Sequence, residues 1–387
     1  MTGGGTHRML GVNVFDAAVD RMVAQYEQGH RIVVSTSGGK DSTCALEVCI
    51  IAATMTGRLP VEAVTRDEEI VYPGTFEYLD RIYHRPEVEL HHLIAHQPIV
   101  NAFNRHSPYW WAFDPRLDAK EWVREPPDYA YEIPDINIEA MTTKSRFPVD
   151  EAHGQKLIAV IGLRVQESRG RRYGLHSSGG YMTKPHAKTG VYGCRPIYDW
   201  RDGDVWHAIR SQGWDYSSAY NVMHRAGIAR SQMRTAPPSS AYAVDMLPFA
   251  SQSWPQWWDK VCRRLPGMQS AAQYGKRVLQ PNRRYGETWE QTFWRECVEK
   301  APDWIAERAR RAVKRILSSH AHHSTSPLPQ IDPCYTCSGN NGSWKALANG
   351  LYLGDPFSMR MNMLPYVEPS FFWPDAPTKS WGGGSPG

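Results

Sequence analysis

A chain of 387 residues with 41% hydrophobic and 22% charged residues has the composition of a folded globular protein, long enough for one large domain with additions or for two domains. No apolar run approaches the roughly 20 residues of a membrane span. The Gly-rich Met1–Leu10 has no basic-then-apolar leader pattern, and seven cysteines at this size make no disulfide framework, so the expectations are no membrane and a reducing cytoplasm. A formal net charge of +4 is too small to diagnose a nucleic-acid partner by itself.

Val12 to Gln28 carries Val14, Ala17, Ala18, Met22, Val23 and Tyr26 at helical spacing, which predicts an amphipathic helix beside the first strand. Arg31 to Val34 reads as a short buried strand, Ser35 to Ser42 as a tight polar turn, and Thr43 to Ala53 as a helix. Strand, glycine turn and helix start together make an anion site. Gly38 and Gly39 let the backbone approach a phosphate, and the first helical N–H groups face it. Ser37 and Ser42 add hydroxyls, with Ser35 at the mouth of the turn. Lys40 adds a mobile positive charge, and Asp41 orients a cation or holds the turn. The pattern is not the Walker loop, which needs four residues between its first glycine and Gly-Lys-Ser/Thr.

Val61 to Thr65 is the second expected strand and ends in Arg66-Asp-Glu-Glu69. Acids at the carboxyl end of a strand in an open α/β sheet sit where ligands bind, so Asp67, Glu68 and Glu69 are candidates to meet a nucleotide or its magnesium; a solvated charge cluster is the alternative. Tyr72–Thr75 turns into a helix over Phe76–Tyr83, and Val88–Leu93 fits a third strand. Residues 95–134 crowd Tyr109, Trp110, Trp111, Trp122, Tyr129 and Tyr131 between prolines: a lid or recognition insert, or an irregular layer packed on the core. Leu157 to Leu163 is the next strand. Gly162, Arg164, Glu167, Ser168, Arg169, Arg171 and Arg172 follow at its end, and guanidinium forks match phosphate or sulfate oxygens. The alternative is a solvated charged loop. Tyr181 to Tyr192 reads as a hairpin or loop, and Asp202 to Gln212 as a helix with Asp202 as its N-cap.

Ser37-Gly-Gly-Lys-Asp-Ser42 resembles the pyrophosphate loop of the ATP pyrophosphatases. Gly162, Arg164, Glu167, Ser168 and Arg171 resemble the second signature of the phosphoadenosine-phosphosulfate reductase superfamily. Pro196-Ile-Tyr-Asp-Trp200 followed by Asp204-Val-Trp206 is similar to its third landmark. Trp110-Trp-Ala-Phe-Asp-Pro115, Glu121-Trp-Val-Arg124, Tyr220–Gly227 and Ser231–Arg234 resemble a subgroup of it, related to the enzymes of DNA phosphorothioation. The resemblance covers about residues 30 to 240. It implies an α/β fold of the adenine nucleotide alpha hydrolase type, a twisted, mostly parallel sheet of about five strands with helices on both faces. It also implies ATP and Mg2+ as ligands, with ATP cut between its α- and β-phosphates. Lys40, Asp41 and Arg164 are the expected catalytic set. Ser35, Ser37, Gly38, Gly39, Ser42, Asp67, Gly162, Glu167, Ser168, Arg169 and Arg171 join Lys40 and Asp41 as nucleotide-binding residues. The short Glu-Cys-Gly-type motif of the sulfonucleotide reductases is absent, and the intact Gly-Gly-Lys-Asp loop favours ATP.

Trp254 to Ser319 reads as mostly helical and basic: from Trp258 to His323 there are 14 Lys/Arg against 7 Asp/Glu, a net +7. Such a region is suited to a phosphate backbone, or is a solvated helical face. Cys334-Tyr-Thr-Cys337 is one Cys-x-x-Cys, and with Cys262 and Cys297 these are candidates for zinc or an iron–sulfur cluster; redox or sulfur-carrying roles and inert packing are the alternatives. The expected organisation is an ATP-pyrophosphatase domain over 1–245 with an insert at 95–134, a basic helical region over 246–325, and a Cys-x-x-Cys segment with a flexible tail over 326–387. Three functions remain: an adenylating ATP pyrophosphatase serving sulfur transfer to nucleic acid with a sulfur-donor protein or partner subunit, a sulfonucleotide reductase, and a non-catalytic ATP-binding regulatory partner.

Overall fold

A computed structural model of the chain describes residues 11–95, 98–133, 142–167, 173, 180–335, 342–361 and 363–372. The expectations placed on Met1–Leu10, Ser168, Arg169, Arg171, Arg172, Cys337 and the tail from Trp373 lie outside the described residues. The chain divides into two compact units: Met1–His96 with Pro126–Thr235, and Gln97–Glu125 with Ala236–Gly387.

The first unit is an α/β fold around a six-stranded sheet. Its strands are β1 (Arg31–Ser35), β2 (Val61–Asp67), β3 (Val88–Ala95), β6 (Tyr131–Ile133), β7 (Leu157–Val160) and β8 (Tyr192–Cys194). The order is β6-β3-β2-β1-β7-β8, and every pairing is parallel, with Val33 opposite Glu62 on one side and Ala159 on the other. α1 (Val14–Glu27), α2 (Lys40–Thr56) and α3 (Thr75–Tyr83) pack with the Asp202–Ser211 helix on the face that carries Ile32, Val34, Val61, Ala63, Val88 and Leu90. Val33, Val64, Leu93 and Leu157 point to the other face and meet Phe147 and Val191. α2 is apolar on nearly every side, as a central helix must be.

Along the helix-covered face the composition changes at one end. Ile32 and Val34 give way to Thr36, Val61 and Ala63 to Thr65 and Asp67, and Val88 and Leu90 to His92, all of them buried. The period of two keeps each of these on one face, so the carboxyl edge of the sheet carries a polar layer beneath the loops.

The second unit holds a hairpin of β4 (Pro98–Val100) and β5 (Tyr109–Trp111), followed by helices over Leu247–Ser253, Pro255–Arg264, Met268–Tyr274, Trp289–Trp294, Asp303–Ala321 and Trp344–Leu351. Its core includes Phe293, Cys297, Val313, Ile316, Trp344 and Leu347. The first part of the aromatic stretch is packed: Tyr109, Trp110 and Trp111 are buried, and the Tyr109 hydroxyl donates to the Val367 carbonyl at 2.8 Å, whereas Tyr131 is 38% exposed. Among the described residues no helix is long and apolar enough to cross a membrane.

Candidate nucleotide site

In an open parallel sheet, ligands sit outside the carboxyl ends where the strand order reverses. Here the chain builds outward from β1 through β2 and β3 to β6, then returns to place β7 on the opposite side of β1. The reversal therefore lies between β1 and β7. The loops that leave those two strands are the glycine turn Thr36–Gly39 and the segment Ile161–Arg164.

The glycine turn is fixed by contacts that its residue types permit. Gly38 has φ +72°, and a Cβ there would lie 2.7 Å from the Thr75 methyl, so only glycine fits the turn against α3. Ser42 Oγ accepts from the Ser37 N–H at 3.2 Å, lies 3.2 Å from Ser37 Oγ, and donates to the Gly39 carbonyl at 2.9 Å. Thr43 Oγ1 donates to the same carbonyl at 3.0 Å. The hydroxyls thus close the turn onto the first turn of α2.

Lys40 and Asp41 open α2. Lys40 Nζ reaches Asp41 Oδ2 at 3.0 Å, and Arg164 Nε reaches Asp41 Oδ1 at 2.7 Å. Arg164 also donates from Nη2 to Asp202 Oδ1 at 2.8 Å. Lys40 and Arg164, which lie on either side of the 97–125 stretch in the sequence, are therefore joined through one carboxylate. The approach is close because of Gly162, where a Cβ would stand 2.5 Å from the Asp41 carbonyl oxygen and 2.7 Å from the Ser42 nitrogen. Burial works against the charge on Arg164, but Asp41 and Asp202 outweigh it and raise its pKa. Within this quartet two cations face two carboxylates, so Arg164 acts as a brace for Asp41.

Asp202 is the first residue of its helix, with Arg201 at the N-cap, which corrects its expected capping role: the carboxylate is taken by Arg164 instead. The neighbouring landmark is structural. The Val165 N–H donates to the Tyr198 carbonyl at 2.8 Å, Arg21 forks onto Asp199 at 2.6 and 2.9 Å, and the Trp200 indole donates to the Val14 carbonyl at 2.9 Å. Ser35 closes β1 opposite Val64. Glu167 is half-buried just beyond Arg164.

Asp67 is at the carboxyl end of β2, where the sequence put it, but its carboxylate is committed. It lies 2.8 Å from His92 Nε2 and accepts the Glu69 N–H at 2.9 Å, and its side chain is 1% exposed. Glu68 pairs with Arg66, and Glu69 is fully buried. Within this polar layer, Thr36 Oγ1 and His92 Nδ1 are buried without a hydrogen-bond partner among the described residues.

Tyr220 and Thr235 are the site residues that sequence reading missed. The Tyr220 hydroxyl accepts the Lys40 N–H at 2.9 Å and lies 3.3 Å from Thr235 Oγ1, and Thr235 in turn sits 3.3 Å from where a Gly39 Cβ would be. A tyrosine thus caps the first amide of α2 from a helix 180 residues away in sequence. Burial pushes its phenol up to about 12, so at neutral pH it is a neutral hydrogen-bonding group. No local motif announces such a long-range cap. Tyr220→Phe leaves the Lys40 N–H and the Thr235 hydroxyl without this partner, and is expected to cost about 1–3 kcal/mol in urea denaturation; stability unchanged within error would show that the phenol does not satisfy them.

Among the described residues the cysteines do not gather into one site. Cys194 is fully buried against Met22, and burial pushes its thiol up to about 12. Cys297 is buried under the Ala348 carbonyl with its thiol likewise raised to about 12, whereas Cys262 contacts Gln269. Among the described residues no group of three or more His, Cys, Asp or Glu could hold a metal ion. The zinc or iron–sulfur expectation therefore finds no fit among Cys262, Cys297 and Cys334, and Cys337 lies outside the described residues.

No family model matches the chain. It is 24% identical over 385 residues, 92% of each chain, to the Escherichia coli (strain K12) protein called "Uncharacterized protein YbdN". Among solved structures it is similar to Candida glabrata FMN adenylyltransferase, with a TM-score of 0.35 and 12% identity over 54% of this chain. That match spans 57% of the adenylyltransferase, little more than half its length. It is also similar to a phosphoadenylyl-sulfate reductase from Candida auris in complex with phosphate, with a TM-score of 0.29 and 10% identity over 57% of this chain and 94% of that one.

Proposed function

We propose that the chain is an ATP pyrophosphatase that adenylates an acceptor. The observation that carries this reading is the Lys40–Asp41–Arg164 assembly, set against a hydroxyl-closed glycine turn at the strand-order reversal. An acceptor oxygen attacks the α-phosphorus and forms a new P–O bond. The bond from the α-phosphorus to the bridging oxygen breaks, and pyrophosphate leaves with the electron pair. Charge grows on that leaving group beside the first turn of α2, where backbone N–H groups and Lys40 offset it. Arg164 keeps Asp41 in place, which holds the Lys40 ammonium near the turn. Magnesium would arrive on the phosphates of ATP and neutralise charge there, while both Asp41 oxygens stay with Lys40 and Arg164.

The finer reading is that the acceptor is a nucleic acid, activated for displacement by sulfur from a donor protein, as the resemblance to phosphorothioation enzymes implies. The net +7 of residues 258–323 supports it. The second reading, a sulfonucleotide reductase, would draw its nucleophile from Cys334 or Cys337, since the Cys194 thiol is fully buried and its pKa is raised by that burial. Purified protein with Mg2+ and ATP is expected to yield pyrophosphate and AMP, stimulated by the acceptor. Release of ADP and orthophosphate would overturn the reading, and tight ATP binding without turnover in the presence of nucleic acid and a sulfur donor would replace it with a regulatory one.

A further inference from the structure

Part of the positive charge of the second unit lies along one helix. Asp303–Ala321 buries Ile305, Ala309, Ala312, Val313 and Ile316, and its two acids, Asp303 and Glu307, lie in its first five residues. From Arg308 to Ala321 there is no carboxylate, while Arg310, Arg311, Lys314 and Arg315 are exposed. Arg311, Lys314, Arg315, Ser318, Ser319 and His322 line a groove of about 540 Å³. Steps of three and four residues put such positions on one side of a helix, and every lining side chain offers a cation, a hydroxyl or an imidazole.

Two contacts tether the groove without filling it. Arg311 pairs with Glu307 at the N-terminal end, and Arg315 Nη1 donates to the Met363 carbonyl at 2.6 Å. Cations in the last turns of a helix complement its dipole, but that effect is confined to a helix end and does not require a groove without carboxylates. Arg311 to His322 runs about 16 Å at 1.5 Å per residue, the rise of four or five phosphates of one strand at about 3.4 Å each. Along this helix Leu317 is the one large apolar side chain among the described residues that is clearly exposed, at 39%, and it does not line the groove, so there is no apolar wedge for a bilayer.

We infer that this groove binds the sugar–phosphate backbone of a nucleic-acid strand, with Arg311, Lys314 and Arg315 neutralising phosphates and Ser318, Ser319 and His322 donating to their oxygens. The inference rests on the second unit alone and stands or falls apart from the ATP reaction. Binding of this kind is independent of sequence and releases counterions, so its signature is the slope of affinity against salt.

The test uses the full chain without ATP, a short labelled oligonucleotide as single strand and as duplex, and fluorescence anisotropy between about 50 and 200 mM salt. For Arg311→Gln/Lys314→Gln/Arg315→Gln, the slope of log affinity against log salt is expected to shrink by about 2 for single strands or about 2.7 for duplex, from roughly 0.7 or 0.9 per phosphate contact. Lys314→Gln alone is expected to take about a third of that. Arg263→Gln/Lys276→Gln removes exposed charge outside the groove and is expected to leave the slope nearly unchanged. No binding by the unaltered chain, or an equal loss from the outside pair, would overturn the inference in favour of a solvated face. Preference for anionic vesicles over either oligonucleotide would overturn it in favour of a membrane surface.

Discussion

Lys40→Met is expected to lower pyrophosphate release by roughly 10²–10³-fold, the usual cost of removing a donor aimed at developing charge, with a smaller loss of stability than Arg164→Met because Asp41 keeps its pair with Arg164. The Lys40 side chain is only 5% exposed, yet its ammonium is held 3.0 Å from Asp41 at the start of α2. Methionine matches most of the stem and keeps its packing while deleting the charge. The measurement is a kcat and KM pair from continuous pyrophosphate release. A fall carried by kcat means that the charge acts mainly as the bond breaks; a rise in KM alone means equal service to bound ATP and to the transition state. Unchanged kcat/KM would remove Lys40 from the chemistry.

Arg164→Met is expected to be the most destabilising of the changes considered, by about 3 kcal/mol in chemical denaturation. Breaking a buried ion pair from one side costs about 3–5 kcal/mol because the partner is left charged and desolvated. The lower end applies here, since the side chains of Asp41 and Asp202 are 17% and 22% exposed and water can reach them. Adding Asp202→Asn should recover part of the loss, because one of the two stranded carboxylates is then neutral, and the pair should couple in a double-mutant cycle. A loss below about 1 kcal/mol, or strict additivity, would mean that the arginine merely lies beside these acids.

How far the sequence could be read follows from the range of the forces involved. β1, the glycine turn, α2, β2, α3 and β3 appear within a few residues of their expected bounds, because each carries a local apolar period or a turn residue with a steric reason. β6 and β8 were not legible. Each has three residues, and each pairs only because a longer strand, β3 or β7, offers an edge in register. The glycine turn and Arg164 were both expected at carboxyl ends of strands, and the structure brings them together through Asp41. What each would touch was beyond reach. Asp202 looked like a cap because aspartate caps helices, but a buried guanidinium competes for the same carboxylate and wins. Asp67 looked available to a ligand, yet His92 lies on a neighbouring strand, a juxtaposition that only register creates. Tyr220 was noted only as the start of a landmark and Thr235 not at all; their role was out of reach for the same reason, since their hydroxyls complete a turn made nearly two hundred residues earlier.

The second unit is assembled from two stretches that leave the ribosome at different times. Gln97–Glu125 emerges about 110 residues ahead of Ala236, a delay of roughly 5–20 s at about 5–20 residues per second. Throughout that interval Tyr109, Trp110 and Trp111, all buried in the finished protein, lack three of their later partners: Arg264, Phe357 and Val367 are still unmade. The parallel sheet meanwhile gains β6, β7 and β8. The nascent chain thus carries an apolar hairpin in search of a core while its first unit closes, and for that span its fate depends on whatever shields exposed tryptophan in the cell.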